Sequence, residues 1–208
     1  MSSFDEKAAT WDDQAKTKRA HVVAAAIRRA VNPTGATRVL EYGAGTGLVS
    51  QELAGSVGPL TLADPSKGMR EVMHSKLATG ALPASSRIWD LDLSAGRIPD
   101  ERFDLVVTVM TLHHIPDLTP VLDGFARLLD SGGHLCVVDL VKEDGSFHHD
   151  GDFHGHHGFD TQDLSTKLES AGFTDVHVEQ VYEVVKDGAT YPLFLATCTK
   201  VGCEAPSS

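Results

Sequence analysis

The feature that most restricts the fold of this chain is a turn in which every second residue is glycine. In the segment VLEYGAGTGLVS, an apolar run ends at Glu41 and is followed by Gly43, Gly45 and Gly47. Glycine adopts positive φ angles readily and lets a ligand approach the backbone closely. A strand, a glycine-rich turn and a helix N-terminus together form a typical site for a nucleotide cofactor. The segment therefore predicts a strand–turn–helix unit that binds a nucleoside-bearing cofactor.

The spacing of the glycines discriminates between cofactors. A dinucleotide fingerprint has the pattern G-x-G-x-x-G, which from Gly43 would require glycine where the chain has Leu48. No lysine follows the turn as it would in a Walker-type phosphate loop. The next predicted strand ends at Asp64, and a carboxylate there can accept hydrogen bonds from ribose hydroxyls in either an NAD site or an adenosyl site.

Apolar strands alternate with helices along most of the chain. Strands are predicted in TRVLEYG, GPLTLADPS, SRIWDLDL, FDLVVTVMTL and GHLCVVDLV, with helices between them. Short strands rich in Val and Leu that alternate with helices indicate a parallel sheet covered on both faces. Near the C-terminus, Asp187 and Gly188 separate two β-rich runs, which is a hairpin signal. An α/β fold is therefore expected, with an antiparallel pair closing a mostly parallel sheet.

The N-terminal residues are predicted to be helical. The segment DEKAATWDDQAKTKRAHVVAAAIRRAV is rich in helix-forming residues and carries an apolar face at helical spacing. Asn32 and Pro33 are expected to end the helix. Its basic residues, Lys16, Lys18 and Arg19, are expected on the solvated face.

Composition and charge limit the possible partners. The chain has 208 residues, 41 % of them hydrophobic, which suits one domain with a substantial core. A formal net charge of −11 disfavours nucleic acid as a partner, because phosphate binding needs clustered Lys and Arg. The N-terminus lacks the features of a signal peptide, and no apolar run reaches the ~20 residues of a membrane helix. We expect a cytoplasmic monomer or homodimer that binds a small-molecule substrate rather than nucleic acid or a membrane.

Several motifs, in order, resemble those of the class I S-adenosylmethionine-dependent methyltransferases that act on small molecules, the type 11 or type 12 group. VLEYGAGTG is similar to the first family motif, LADPSKGM to the second, and DLDLSAGRIPDERFDLVVTVMTLHHIPD to the third and fourth. LLDSGGHLCVVDL resembles the strand after the family's Leu-x-Pro-Gly-Gly, with Ser131 in place of proline. FDEKAATWDD resembles the N-terminal cap helix, with Trp11 where tyrosine is commoner.

The resemblance covers nearly the whole chain and implies a fold. A Rossmann-like three-layer α/β sandwich is expected, with a seven-stranded, mostly parallel sheet whose last strand is antiparallel. Residues 1–208 would form a single methyltransferase domain. Residues 1–32 would be N-terminal cap helices, and residues 142–159 a loop on the substrate side.

The resemblance also implies S-adenosyl-L-methionine as the cofactor and S-adenosyl-L-homocysteine as the product. Glu41 would orient the amino group of the cofactor, and Asp64 would hold its ribose. Asp92 or Leu93 would face the adenine, with Asp90 as a near competitor. The expected cofactor-binding residues are Trp11, Glu41, Gly43, Ala44, Gly45, Gly47, Asp64, Pro65, Ser66, Met69, Asp92, Leu93, Val109 and Met110.

Transfer of a methyl group to a hydroxyl, thiol or amine can require a general base. His113 and His114 follow the fourth predicted strand, on the edge where the cofactor is expected, and a neutral imidazole can take a proton near pH 7. Both are therefore candidate catalytic residues. A purely structural role in the turn is the alternative.

The segment KEDGSFHHDGDFHGHHGF, residues 142–159, is polar, rich in Gly and His, and follows a predicted strand. Ligands in open α/β sheets bind at that edge, so we expect this loop to contact the substrate, unless its phenylalanines merely pack it down. Imidazoles and carboxylates at short spacing also bind zinc or nickel, but their order here matches no regular ligand pattern, and no metal is predicted. The expected substrate contacts are His114, Phe147, His148, His149 and His154.

Two other functions stay open at this point. An NAD(P)-dependent reductase would use a similar strand–turn–helix unit, although the glycine spacing and the lack of a Tyr-x-x-x-Lys pair weigh against it. A non-catalytic module that binds an adenosyl group would keep the cofactor residues without acting on an acceptor.

Overall fold

The computed structural model describes residues 3–148 and 153–202, and these contain one seven-stranded sheet of order β3-β2-β1-β4-β5-β7-β6. Strands β1 to β5 pair in parallel, whereas β7 runs antiparallel to both β5 and β6. The predicted mostly parallel sheet with an antiparallel last strand is therefore confirmed. The strands are β1 Val39–Tyr42, β2 Leu60–Ala63, β3 Arg87–Trp89, β4 Phe103–Val109, β5 Leu129–Leu140, β6 Phe173–Lys186 and β7 Ala189–Lys200.

Helices cover both faces of the sheet. They are α1 Ser3–Lys7, α2 Gln14–Val31, α3 Leu48–Leu53, α4 Lys67–Ala78, α5 Thr119–Leu128 and α6 Thr161–Ser170, with 3-10 turns at Ala8–Thr10, Leu93–Ala95 and Leu112–His114. In the described part of the chain, no helix has both the length and the apolar character needed to cross a bilayer.

Alternation along the strands divides the core into two layers. Val39 faces the cluster formed with α2 and α3, whereas its neighbour Leu40 faces the cluster formed with α5 and α6. Successive strand residues point to opposite faces, so fully apolar strands are needed when both faces are covered. The expected three-layer sandwich is confirmed.

The N-terminal segment, predicted to be helical, forms the two helices α1 and α2. Trp11 to Asp13 separate the 3-10 turn from α2, and the Asp13 side chain accepts a hydrogen bond from the Lys16 N–H at 2.7 Å. This N-cap lets the chain change direction before α2. The end of α2 agrees with the prediction, because Asn32 takes a left-handed conformation with φ of 42°.

The predicted hairpin joins β6 and β7 through two residues. Asp187 and Gly188 have φ angles of 50° and 83°, and Lys186 pairs with Ala189. Positive φ at both central residues is typical of a type I′ turn, whose twist suits antiparallel strands.

The strand order reverses between β1 and β4, which lie side by side at the centre of the sheet. Connections from these neighbouring strands leave in opposite directions, so a crevice opens at their carboxyl ends. The glycine turn follows β1 directly, and the turn Leu112–His114 follows β4. Both predicted functional segments therefore reach the same edge of the sheet.

Candidate active site

A cavity of about 710 Å³ lies at the carboxyl ends of β1, β2 and β4, beneath the N-terminal segment. Its size is within the range of small-molecule sites. The predicted residues that line it are Trp11, Glu41, Gly43, Ala44, Gly45, Asp64, Pro65, Ser66, Met69, Asp92, Val109, Met110 and His114. The structure thus brings most of the residues named from the sequence to one cavity.

The outer two glycines of the turn are required by packing. Gly43 and Gly47 have φ angles of 69° and 80°, a region that other residues rarely adopt. A Cβ at Gly43 would lie 2.3 Å from the side chain of Thr111, and one at Gly47 would lie 2.7 Å from Leu62. Gly47 serves as the N-cap residue of α3 and is not part of the cavity wall.

The middle glycine is held by the acid that follows β2. Gly45 has a φ of 57°, and its N–H donates to Asp64 Oδ2 at 2.8 Å. The N–H of Ser66 donates to Oδ1 of the same carboxylate, also at 2.8 Å. Burial raises the pKa of Asp64, and these two hydrogen bonds oppose that rise. Each oxygen retains a lone pair, so the carboxylate can accept further hydrogen bonds from a ligand.

Glu41 is the second acid of the cavity and lies within β1. It is 2 % exposed, and its Oε2 accepts hydrogen bonds from the N–H of Ser50 at 3.0 Å and from the Ser50 hydroxyl at 2.5 Å. Burial raises the pKa of Glu41 to about 7, against the lowering effect of the Ser50 hydrogen bonds. A cationic ligand group placed beside it would favour the ionised carboxylate.

The structure separates the three candidates for the adenine side. Asp92 lines the cavity. The side chain of Leu93 instead points into the core, where a Cβ on Gly124 would lie 3.1 Å from it, so Leu93 is no part of the cavity wall. Asp90 pairs with Arg70 at 2.8 Å outside the cavity. Asp92 is the N-cap residue of the 3-10 turn and Leu93 is its first residue, so their side chains point in different directions.

The N-terminal segment is fastened over the cavity by two acids that sequence reasoning missed. The Ser66 hydroxyl donates to Asp5 Oδ1 at 2.7 Å. Asp12 accepts a hydrogen bond from the Thr46 hydroxyl and pairs with Lys76 at 2.6 Å. Asp5 and Ser66 are 61 positions apart in the sequence, so no local pattern indicated the contact.

The expectation that the basic residues of α2 are solvated is wrong for two of the three. Lys18 is exposed, but Lys16 and Arg19 line the cavity. Burial lowers the pKa of Arg19, while nearby Tyr182 and Asp139 favour its charged form. Within the described chain, the Arg19 guanidinium forms no ion pair with a carboxylate. It is therefore available to an anionic group of a ligand.

The two candidate catalytic histidines have different environments. His113 is 1 % exposed, lies outside the cavity wall, and has its Nδ1 at 2.6 Å from Asp139 Oδ1. His114 lines the cavity, with its ring 5.1 Å from that of Phe4. Burial, together with the neighbouring His113 and His148, lowers the pKa of His114 to about 3. The His114 imidazole is therefore neutral at physiological pH.

The histidine-rich loop packs behind the cavity wall. Phe147 and His148 contact the ring of His113, with centroid distances of 6.3 and 5.2 Å, and neither lines the cavity. His154 is exposed and also lies away from it. His149 falls outside the described residues. Phe147, His148 and His154 therefore lie away from the cavity wall, and the loop packs against the His113–His114 turn. Their contact with a substrate stays a prediction.

The chain is similar in sequence to known methyltransferases. A family model described as a methyltransferase domain matches residues 15–178. An uncharacterized methyltransferase of Schizosaccharomyces pombe is 30 % identical over 156 residues, which is 67 % of this chain and 54 % of that protein. A demethylmenaquinone methyltransferase of Clavibacter sepedonicus is 33 % identical over 117 residues, 55 % of this chain and 46 % of that protein. The chain spans about half the length of these relatives.

Solved structures share the fold at low sequence identity. A S-adenosylmethionine-dependent methyltransferase from Aquifex aeolicus has a TM-score of 0.70 and 19 % identity, covering 95 % of this chain and 98 % of its own. A Haemonchus contortus phosphoethanolamine N-methyltransferase in complex with S-adenosyl-L-methionine has a TM-score of 0.72 and 15 % identity, covering 86 % of this chain and 52 % of its own.

Proposed function

This chain belongs to the class I S-adenosylmethionine-dependent methyltransferases, and from that premise we propose that it transfers the cofactor's methyl group to a small-molecule acceptor. The observation that carries the proposal is the hydrogen bond from the Gly45 N–H to the Asp64 carboxylate at the cavity wall. This bond joins the turn after β1 to the acid after β2, so that a bare backbone and a carboxylate face the same space. That combination suits a ligand with both a ribose and an extended chain.

The residues present fit the cofactor. Gly45 leaves the space beside the cap open, since a Cβ there would lie 3.7 Å from the indole nitrogen of Trp11. Asp64 would hold the ribose hydroxyls through its remaining lone pairs. Glu41 would pair with the amino group, and Asp92 would face the adenine. Val109 and Met110, at the end of β4, would lie near the sulfonium end, as the family resemblance implies.

When bound, S-adenosylmethionine supplies a methyl group activated by the positive sulfonium. The protein then has to position the acceptor and exclude water. Phe4 and Trp11 in the cap form an apolar cover over the cavity, their rings 5.9 Å apart. We assign to His114 a direct contact with the acceptor at the cavity wall. Its pKa of about 3 makes it a weak proton carrier, because an efficient base has a pKa near the working pH.

Two observations support a small acceptor that carries an anionic group. The matched relative from Clavibacter sepedonicus is named for action on demethylmenaquinone, a small molecule. In this chain, Arg19 presents a guanidinium to the cavity without a carboxylate partner in the described residues. An arginine binds carboxylates and phosphates in two-point geometry, so a carboxylate, a phosphate or an ionised phenol suits this end of the cavity.

Calorimetry with S-adenosylmethionine, S-adenosylhomocysteine and NADH tests the cofactor. We expect the wild-type protein to bind the first two and not NADH. Asp64→Asn should weaken the binding of both by roughly 10- to 100-fold, because hydrogen bonds to a charged group contribute about 1.5–3 kcal/mol. Asp90→Asn, which removes an exposed carboxylate outside the cavity, is the matched control and should bind as the wild type does.

The acceptor is tested by release of S-adenosylhomocysteine on a panel of small molecules with and without an anionic group. Turnover of members of the panel supports the proposal. Binding of NADH alone would establish the reductase alternative instead. Tight cofactor binding without turnover of any metabolite in a broad panel would favour the non-catalytic module.

A further inference from the structure

Three histidines from two separate segments meet beside the part of the cavity wall that contains His114, where we propose that the acceptor binds and which we call the acceptor end. His113 and His114 belong to the turn after β4, and His148 belongs to the loop after β5. Each offers a ring nitrogen, and these nitrogens all lie within 4.8 Å of one another. The ring centroids of His113 and His114 are 4.1 Å apart, and each is 5.2 Å from that of His148.

One of the three is oriented by a buried carboxylate. Asp139 is fully buried, and its Oδ1 lies 2.6 Å from His113 Nδ1. The same carboxylate accepts hydrogen bonds from the N–H groups of His113 at 3.3 Å and Leu140 at 2.8 Å. A carboxylate acceptor keeps the proton on Nδ1 and leaves the Nε2 lone pair of His113 available. Metal-ligating histidines are typically oriented by this kind of hydrogen bond.

The loop is fixed to the turn by its backbone. The N–H of His156 donates to the carbonyl of His113 at 2.7 Å. A Cβ on Gly155 would lie 2.0 Å from that carbonyl oxygen, so the loop can approach this closely only because residue 155 is glycine. Phe153 stacks on the ring of His148 at 3.9 Å with an interplanar angle of 13°. Packing therefore places His148 beside the turn.

We propose that His113, His114 and His148 form a binding site for a divalent transition metal of the zinc class. Three imidazoles with a fourth position open are typical of catalytic zinc sites, and imidazole favours such metals over magnesium or calcium. Tetrahedral coordination brings ligand nitrogens to roughly 3.3 Å from one another. Rotation of the half-buried His114 and His148 rings would provide the required contraction.

The position of the site suggests its use, and this step rests on the proposed function. His114 is the member of the cluster that lines the cavity, so the open coordination position would face the acceptor end. A metal there would lower the pKa of a hydroxyl or thiol bound to it. The acceptor would then lose its proton to solvent and react in its ionised form. Arg19 lies near Asp139, and the Asp139 carboxylate would offset part of the combined positive charge of Arg19 and the metal.

The test uses the untagged full chain after treatment with a chelator. Titration with Zn²⁺ alone should show one tight site per chain by calorimetry, and Co²⁺ should give the intense visible absorption of a tetrahedral site. His148→Ala and His114→Gln should each weaken Zn²⁺ binding by roughly tenfold or more. His154→Ala, which removes an exposed histidine of the same loop, should leave both signals unchanged.

The proposal is overturned if the wild-type chain binds no Zn²⁺, if His148→Ala and His114→Gln bind it as tightly as the wild type, or if His154→Ala weakens binding equally. Calorimetry with S-adenosylmethionine on the same variants confirms that each is folded. That titration also separates the two proposals. A wild-type chain that does not bind S-adenosylmethionine would contradict the proposed function. A wild-type chain that binds S-adenosylmethionine but not Zn²⁺ would contradict only the metal site.

Discussion

The two ends of the cavity are constructed differently. At the end where we propose that the cofactor binds, called the cofactor end, the wall consists of backbone at positive φ, as at Gly45, and of an acid that follows a strand, Asp64. These two residues are 19 positions apart. The acceptor end consists of side chains from α2, from the turn after β4 and from the cap. Arg19, His114 and Phe4 line the same cavity only because three separate segments pack together.

This difference teaches which changes the fold tolerates. At the cofactor end, backbone conformation and ligand contact depend on the same residues, so a substitution should disturb folding and binding together. At the acceptor end, the proposed ligand contacts are side chains, and none of Phe4, Arg19 and His114 has a positive φ angle. A substitution there should change acceptor binding and leave cofactor affinity intact.

The largest expected effect comes from Gly43→Ala. The new Cβ would lie 2.3 Å from Thr111, whose short, β-branched side chain cannot move aside, and the φ of 69° disfavours alanine. The left-handed conformation costs about 1–2 kcal/mol and overpacking a further ~1–3 kcal/mol. Urea denaturation should show a loss of about 2–5 kcal/mol in the free energy of unfolding.

Gly80→Ala is the matched control for this prediction. Gly80 has a φ of 77°, but among the described residues no atom lies within 4 Å of the position that a Cβ would take. It should therefore lose only the conformational part, about 1–2 kcal/mol. Equal losses in the two variants would show that the contact with Thr111 does not restrict the turn, and would weaken the contrast between the two ends.

An intermediate effect is expected for Arg19→Met at the acceptor end. Removing the guanidinium should lower kcat/KM for an anionic acceptor by roughly 10- to 100-fold, because a hydrogen-bonded charge contributes about 1.5–3 kcal/mol. The dissociation constant of S-adenosylmethionine, measured by calorimetry, should stay the same. Lys18→Met on the exposed side of α2 is the control. A parallel loss of cofactor affinity in Arg19→Met would mean that the two ends are not separable.

The smallest effect concerns the pH dependence of cofactor binding. Glu41 has a pKa of about 7 in the folded protein, and the cationic cofactor favours its ionised form. The proton must leave before this pairing forms, so affinity should increase as pH rises through 7. The increase should be roughly tenfold between about pH 6 and about pH 8.

Glu41→Gln should abolish this dependence, and Glu52→Gln in α3, outside the cavity, should retain it. Calorimetry of the wild type near pH 7 in buffers of different ionisation enthalpy should also detect proton release on binding. A wild-type affinity that does not vary with pH would show that Glu41 does not pair with the cofactor.

Much of the fold was predictable because its determinants are local. The apolar runs that became β1, β2, β4 and β5 read as buried strands, and Asp187-Gly188 predicted the hairpin. The glycine turn and Asp64 were predictable for the same reason. For the adenine side the sequence left Asp92 and Leu93 both open, because it does not show which of two adjacent side chains points into the core.

Other features depended on contacts that no local pattern contains. Lys16 and Arg19 were expected on the solvated face of the helix, yet both line the cavity. The spacing of histidines within the loop suggested no metal site. The cluster that we propose needs one histidine from the loop and two from the turn after β4.

The sequence by itself determined the order of strands and helices and the backbone conformation of the glycine turn. These follow from residues that are adjacent in the chain, through the steric limits on φ and the alternation of side chains along a strand. The tertiary structure decided which side chains share the cavity, as with Asp5 and Ser66 at 61 positions apart. Such contacts form only when packed layers bring distant segments together, so their partners become visible only in the folded chain.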